Sequence, residues 1–214
     1  MKKVFAWFLS AVMLFSMSFA FASCARAPKI GDIYDRVVER VEGANELNTV
    51  FYGAGLPVYK ADSEYAKLTN MYYQFEHAGV YEMVTPYAKF ASLSQIEDAA
   101  EKIYSKEYLE EVVYPTMFTG HAIQGIEGVQ VSNARYMEDE SWIYQSAEDE
   151  TLYRGIIVYG YSTMRVTEPS NREACYVTMN AWMEDTPDQV KEIRLRLVLQ
   201  DGAWYLDAFT GGVV

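Results

Sequence analysis

IRLRLVLQDGAWYL, residues 193–206, is the stretch that decides the fold, because it predicts a complete antiparallel hairpin. Apolar residues alternate with arginines from Ile193 to Leu197, which is the period of a strand with one buried face. Asp201 and Gly202 then supply the residue pair that a tight type I′ turn prefers. Around that turn the register predicts three cross-strand pairs on one buried face: Leu199 with Trp204, Leu197 with Leu206, and Leu195 with Ala208.

Two further strands are predicted before this hairpin. Residues 156–158 form a short apolar run, and Cys175 and Val177 begin an alternating one. Thr186-Pro187-Asp188 is typical of a turn, and we place it between the strands around Val177 and Leu195. The second half of the chain is therefore predicted to be an antiparallel meander.

The first half has the period of helices. Asp32 is a suitable N-cap, and Ile33, Val37 and Val41 follow it on one helical face, which predicts a helix that ends near Gly43.

Three more helices are predicted between this one and the sheet. The first runs from Tyr65 towards Gly79, and the second begins at a capping box in residues 94–97. The third begins at Ser105 and ends at Pro115, because proline cannot continue the hydrogen bonding of an α-helix.

Helices first and antiparallel strands afterwards predict an α+β protein, with N-terminal helices followed by a curved antiparallel meander sheet packed on them. We divide the chain into four segments. They are a signal peptide at 1–23, a lipid anchor and tether at 24–31, an N-terminal helical extension at 32–60, and an α+β domain at 61–214.

The N-terminus is typical of a bacterial export signal. Lys2 and Lys3 precede an apolar stretch at residues 4–22, and Cys24 follows two small residues. Residues 21–24, Phe-Ala-Ser-Cys, resemble the lipobox of bacterial lipoproteins, with Phe21 in place of the usual aliphatic residue. That resemblance implies an acylated Cys24, carrying a palmitate-type anchor, and a mature protein tethered outside the cytoplasmic membrane.

Two alternatives to acylation stay open. Ala20-Phe21-Ala22 also fits the small-residue pattern of an ordinary signal-peptidase site, which would release a secreted protein. The apolar run is also close to the ~20 residues that span a bilayer, so it could remain as a membrane helix. All three interpretations place the globular part outside the cytoplasm.

Charge limits the partners. The chain has 18 Lys and Arg against 30 Asp and Glu, and removal of Lys2 and Lys3 would leave 16 against 30. A chain this acidic lacks the basic surface that binds a phosphate backbone, so we expect no nucleic-acid partner. The excess of acidic residues favours a well-solvated surface or a basic protein partner.

The sequence offers few catalytic groups. Cys24 and Cys175 are the only cysteines, and Cys175 lies in a strand-like apolar run, which predicts a buried thiol. A Cys24–Cys175 disulfide becomes possible only if Cys24 is not acylated. His77 and His121 are the only histidines, and neither lies in a metal-binding or catalytic motif. We therefore predict a non-enzymatic protein without a metal ion or cofactor.

Two acidic runs flank an apolar segment and form the candidate interaction site. A hairpin with acidic ends and an aromatic middle can serve as a solvated sheet edge, or as a recognition element for a basic protein surface. The candidate binding residues are Glu138, Asp139, Glu140, Trp142, Tyr144, Glu148, Asp149 and Glu150.

Five short segments of the sequence carry a family resemblance that covers roughly residues 65–209. They are Tyr87-Ala-Lys-Phe90, Ser92-Leu-Ser-Gln-Ile96, Ile103-Tyr-Ser-Lys-Glu-Tyr-Leu109, Ala134-Arg-Tyr136 and Asp201-Gly-Ala-Trp-Tyr-Leu-Asp207. These segments resemble extracytoplasmic lipoproteins of Gram-positive bacteria of the DL-endopeptidase inhibitor (IseA-like) family. The resemblance implies a protein that blocks cell-wall hydrolases of the NlpC/P60 type.

The order of elements also resembles the NTF2-like and cystatin-like superfamilies. That resemblance implies a curved sheet whose inward residues, Trp182, Leu197, Trp204 and Leu206, line a pocket or fill a core. Three functions follow as hypotheses. The first is a tethered, non-catalytic binding protein that inhibits a peptidoglycan hydrolase, the second a small-molecule pocket, and the third a structural envelope lipoprotein without a discrete site.

Overall fold

The computed structural model describes residues 26–75, 79–120, 122–123, 131–139, 141–147 and 155–211. Cys24, His77 and His121 lie outside the described residues, as do Glu140 and residues 148–150.

The described chain is an α+β fold, which confirms the predicted class. Its helical elements are α1 (Ile30–Tyr52), α2 (Glu64–Thr69), α3 (Leu93–Glu101), α4 (Lys106–Tyr108), and two π-helical segments, π1 (Leu109–Val113) and π2 (Pro115–Thr119). Its strands are β1 (Tyr72–Phe75), β2 (Gly79–Met83), β3 (Ala122–Ile123), β4 (Val131–Ser132), β5 (Tyr136–Asp139), β6 (Trp142–Ser146), β7 (Ile157–Thr167), β8 (Ala174–Met183), β9 (Thr186–Gln200) and β10 (Ala203–Leu206).

The strands form two four-stranded antiparallel sheets, where the sequence predicted one. The first sheet has the order β1-β2-β6-β5, and the second is a meander with the order β10-β9-β8-β7. A short third ladder joins β3 and β4. Helices and strands therefore alternate in the first half of the chain, which is not purely helical.

The second sheet confirms the predicted hairpin. Leu199 pairs with Trp204 and Leu197 pairs with Leu206, and Asp201 and Gly202 both have positive φ, as a type I′ turn requires. The third predicted pair is wrong: β10 ends at Leu206, and Leu195 pairs with Val177 instead.

The predicted turn at residues 186–188 is also wrong. Met183 pairs with Thr186, so Glu184 and Asp185 make the turn and Pro187 lies within β9. A proline is tolerated here because β10 pairs only with residues 197–200 of β9. At Pro187 this side of β9 is a sheet edge, where no neighbouring strand needs a backbone N–H. On the core face of this sheet Cys175, Val177, Met179, Ile193, Leu195 and Leu197 are buried, as predicted.

Helix α1 is longer than the sequence indicated. It begins after Lys29, whose backbone N–H donates to Asp32, and continues through Gly43 to Tyr52. Gly43 lies inside the helix rather than at its end, and its backbone packs closely against the Ile103 side chain. Residues of α1 belong to the same core cluster as the second sheet. The predicted N-terminal helical extension therefore packs, through α1, on the α+β domain.

The end of α2 and the start of α3 differ from the prediction. Asn70, in the left-handed conformation, ends α2, and the residues that follow it form β1 rather than more helix. Ser92, not Ser94, caps α3, and its hydroxyl accepts from the Gln95 N–H at 3.3 Å.

Ser105 caps α4, as predicted, but Pro115 does not end the helical run. The backbone changes to π-helical bonding, and Gly120 donates to the Pro115 carbonyl at 2.7 Å. Pro115 is the first residue of π2, and the first N–H groups of a helix have no partner within that helix. The missing N–H of Pro115 therefore removes no hydrogen bond from π2.

Candidate functional site

The hairpin of β5 and β6 brings three of the predicted site residues together at its tip. Asp139 pairs with Trp142, and Ser141 makes the tight turn with a φ of 76°. Glu138 lies one position before Asp139, on the opposite face of the sheet. The Trp142 side chain is 44% exposed, which is unusual for a residue that carries so much apolar surface.

Both carboxylates that the structure describes at the tip have a hydrogen-bond partner. Glu138 accepts from the backbone N–H of Leu93, the first residue of α3, at 3.0 Å. A carboxylate at a helix N-terminus is favoured by the helix dipole and by the unpaired N–H groups there. Asp139 accepts from the hydroxyl of Tyr73 at 2.5 Å, and this bond raises the pKa of Tyr73. These bonds hold the carboxylates of Glu138 and Asp139 in defined positions.

A shallow groove lies beside Trp142. Its volume is about 190 Å³, and its lining is mostly apolar. The segment between β2 and α3 forms one wall and the hairpin forms the other. We call it the tip groove, and its lining residues are Val84, Thr85, Pro86, Phe90, Ala91, Ser141, Trp142 and Ile143.

Tyr144, the other predicted site residue that the structure describes, does not join the tip. Tyr144 is buried with Tyr81 and Met83 in a small cluster on the outer face of the first sheet, and the ring of Tyr73 lies 4.8 Å from its ring. Its side chain therefore packs the sheet. Glu140, Glu148, Asp149 and Glu150 lie outside the described residues.

Helix α3 carries further acidic residues, beyond those at the tip. Glu97 and Glu101 lie one turn apart on one face of α3, with Asp98 beside them. Burial raises the pKa of Glu97, and the nearby charges of Glu101, Asp98 and Glu138 raise it further. We call Glu138, Glu97 and Glu101 the acidic row.

A second groove lies at the other end of the acidic row. Its volume is about 270 Å³, and α3, α4, π1 and the end of β9 surround it. The hydroxyl of Tyr114, which separates π1 from π2, donates to Glu101 at 3.1 Å. Burial and the Glu101 bond raise the pKa of Tyr114, so this hydroxyl stays protonated. We call it the helix groove, lined by Glu101, Tyr104, Lys106, Leu109, Glu110, Tyr114 and Gln200.

Sequence reasoning missed Tyr73, Glu97, Glu101 and Tyr114. One signal was available: Glu97 and Glu101 have the spacing of one helical face, and Glu97 was assigned only to a capping box. Nothing local in the sequence places Tyr73 beside Asp139 or Tyr114 beside Glu101, because both contacts depend on the tertiary fold.

The described residues have little nucleophilic or metal-binding chemistry. Cys175 is buried against the second sheet, and burial raises the pKa of its thiol, so the reactive thiolate is disfavoured. Within residues 26–211, apart from the gaps given above, no group of three His, Cys, Asp or Glu side chains could hold a metal ion. In the same part of the chain, no helix combines the length and apolar character needed to cross a bilayer.

The residues expected to line an NTF2-like pocket divide into two kinds. Leu197 and Leu206 are fully buried members of the core, whereas Trp182 and Trp204 are partly buried.

No protein-family model matches this chain, and no curated protein matches it significantly.

Proposed function

We propose that this protein is a non-catalytic binding domain, held outside the cytoplasmic membrane through Cys24, that binds a basic protein of the cell envelope with the tip of the β5–β6 hairpin. One observation carries the proposal: the half-exposed Trp142 borders an apolar groove, Asp139 pairs with it across the hairpin, and Glu138 lies on the other face of the same tip.

Trp142 has the properties of an interface anchor. Tryptophan is enriched among the few residues that dominate binding energy, and such residues lie against pockets that exclude water. The tip groove provides an apolar depression next to the Trp142 ring, which a side chain of the partner can fill. Association would bury both apolar surfaces.

Glu138 and Asp139 supply charge without a large entropic cost. Their bonds to Leu93 and Tyr73 hold them in place before a partner arrives, so less freedom is lost on binding. Charges at the rim of an interface mainly accelerate encounter and select partners of opposite sign. Without residues 1–23 the chain has 16 Lys and Arg against 30 Asp and Glu, and this net charge of −14 extends the attraction to the whole molecule.

The partner class follows from the location and the resemblance. A lipid-tethered domain meets envelope proteins at high effective concentration, so moderate affinity is sufficient. The IseA-like phrases of the sequence favour a peptidoglycan hydrolase of the NlpC/P60 type as the partner, with inhibition as the outcome.

The test measures binding of the full chain, purified in detergent from the membranes of a bacterial host, to a purified NlpC/P60-type endopeptidase with a basic surface. Affinity is measured at about 50 and about 300 mM salt, because screening over this range weakens exposed charge pairs. Trp142→Ala tests the anchor. Leu68→Ala, which truncates a highly exposed apolar residue of α2, is its matched control.

We expect binding that weakens with salt, that Trp142→Ala reduces at least tenfold, and that Leu68→Ala leaves unchanged. Release of soluble fragments from peptidoglycan should slow in parallel. Equal affinities for the wild type and Trp142→Ala, or no binding to the basic endopeptidase at low salt, would overturn the proposal.

A further inference from the structure

We infer that one extended segment of the partner binds along α3, with an apolar side chain in the tip groove and a Lys or Arg side chain about four residues away in the helix groove. This inference rests on the proposed function and names the chemistry that its site recognises.

The two grooves lie at opposite ends of one helix. Phe90 and Ala91, which line the tip groove, immediately precede α3, and Glu101, which lines the helix groove, is its last residue. The nine residues of α3 extend over about 13 Å at 1.5 Å per residue. An extended chain advances about 3.3 Å per residue, so about four residues join the two grooves.

The acidic row connects the grooves. Glu138 caps the start of α3, Glu97 lies one turn before its end, and Glu101 lies at its end. The mutual repulsion of these carboxylates, which contributes to the raised pKa of Glu97, is a cost that a bound cation would relieve. A segment that follows this row is therefore selected for positive charge and against negative charge.

The helix groove suits a long cationic side chain. Tyr104 and Leu109, both buried, form its apolar floor, and Glu101 and Glu110 provide two carboxylates for a cationic head group. Tyr114 also lines the groove, and its hydroxyl donates to Glu101. Lys and Arg commonly place their stems on apolar surface and keep their charge in a polar setting.

The protein's own cation in this groove is loosely held. The Lys106 ammonium lies 3.7 Å from Glu110, beyond hydrogen-bonding distance, and the Lys106 side chain is 74% exposed. An exposed pair of this kind contributes little to stability, so a partner side chain can displace Lys106 at small cost.

The backbone around Tyr114 is unusual in a way that fits a binding site. π-Helical turns are rare and concentrate at functional sites. Here two of them flank Tyr114, whose N–H donates to the Leu109 carbonyl, five residues back. Leu109, Glu110 and Tyr114 all line the helix groove, so the π-helical stretch forms one of its walls.

The experiment uses fluorescein-labelled Gly/Ser peptides that carry one Leu and one Arg, in both orders, separated by one, three or seven residues. Binding to the full chain is followed by fluorescence polarisation at low salt. Parallel peptides carry Gln in place of Arg. The variants are Glu101→Gln and Glu110→Gln, with Glu111→Gln as matched control, because Glu111 is exposed on π1 and does not line the helix groove.

We expect the three-residue spacing to bind about tenfold more tightly than the other two, which corresponds to one additional well-placed ion pair. Glu101→Gln and Glu110→Gln should each reduce that preference and the advantage of the Arg peptide over the Gln peptide, whereas Glu111→Gln should retain both. Affinity that does not depend on spacing, or a preference that neither Glu101→Gln nor Glu110→Gln reduces, would overturn the inference.

The two proposals fail separately. If the endopeptidase binds in a Trp142-dependent way but the peptides show no spacing preference, the two-groove inference is wrong and the tip remains the interface. If the endopeptidase does not bind at all, the proposed function is wrong, whatever the peptides do.

Discussion

The two four-stranded sheets of this protein differ in the polarity of the side chains that they bury. The core face of the second sheet is apolar along β8 and β9, with Val177, Met179, Leu195 and Leu197 fully or nearly fully buried. The first sheet has shorter strands and buries Glu82 and Gln145, a carboxylate and an amide that need polar partners.

The buried polar side chains of the first sheet bind the segment between α1 and α2. Gln145 accepts from the Leu56 N–H at 2.7 Å, and Glu82 accepts from the Ala61 N–H at 2.8 Å and pairs with Lys60. The second sheet thus stabilises the fold by burial, whereas buried polar side chains of the first sheet also hold the backbone of the segment between α1 and α2 in place. We expect mutations in the two sheets to have different consequences.

The largest effect on stability should come from Leu197→Ala in the second sheet. Removing a fully buried leucine leaves a cavity and should lower the free energy of unfolding by about 2–5 kcal/mol. Urea unfolding followed by circular dichroism measures this loss. Leu199→Ala, two residues along the same strand at a side chain that is 39% exposed, should cost much less; equal losses would contradict the burial argument.

The next effect tests the polar contacts next to the first sheet. The Arg135 guanidinium donates to the carbonyls of Val50 at 2.9 Å and Gly53 at 2.6 Å, at the end of α1. Arg135→Met should lower the free energy of unfolding by about 1.5–3 kcal/mol, because two hydrogen bonds from a charged group are lost, although the Val50 carbonyl still accepts from the Tyr136 hydroxyl at 2.7 Å. Arg135→Lys, which keeps the charge but not both bonds, should lie between Met and the wild type in the same urea titration. A Met variant as stable as the wild type would show that these bonds contribute nothing net.

These two predictions also show what the sequence could reveal. The second sheet was largely predictable, because strand period and turn residues agree around Asp201-Gly202 and both are local. The first sheet was not, because Tyr72–Phe75 has spacings that fit a helix as well as a strand, and pairing with β2 decides between them.

The site was predictable only in part for the same reason. The acidic run at residues 138–140 pointed to the hairpin tip, since charge runs are visible in the sequence. The acidic row was not visible, because Glu138 and Glu97 are 41 positions apart in the chain and meet only in the fold. Tyr144 was assigned to the site through its neighbours, but strand alternation places it among buried residues on the outer face of the sheet.

At the tip, Trp142→Ala should affect binding and spare stability. An anchor residue contributes about 2 kcal/mol or more to binding, so affinity for the endopeptidase should fall roughly thirtyfold. The midpoint of thermal unfolding should hardly change, because Trp142 is half exposed. A large loss of stability with unchanged affinity would contradict the view that the second sheet stabilises the fold and the tip of the first sheet binds the partner.

A smaller effect is expected from Glu138→Gln. Glutamine can still accept from the Leu93 N–H, so the tip should keep its shape while it loses one charge. Association should slow several-fold at low salt, and the difference from the wild type should shrink as salt is added. Surface plasmon resonance separates the two rate constants. Asp188→Asn, at an exposed carboxylate of β9 in the second sheet, should leave association unchanged.

The smallest effect concerns pH. The pKa of Glu97 is raised in the folded protein, so its charged form opposes folding; this cost is present above the folded pKa and absent below the ordinary pKa of glutamate. Glu97→Gln should therefore raise the melting temperature slightly at pH 7, and the gain should disappear at about pH 3. A gain that persists at low pH would assign the effect to helix propensity rather than to charge.

The most direct test of the whole account is hydrogen exchange of the full chain with and without a basic NlpC/P60-type endopeptidase. We predict that binding slows exchange at residues 84–93 and 138–142, around the tip groove and the start of α3, and leaves β8 and β9 unchanged. Protection that falls instead on the exposed half of β9, at residues 186–192, would place the interface on the second sheet and contradict the account.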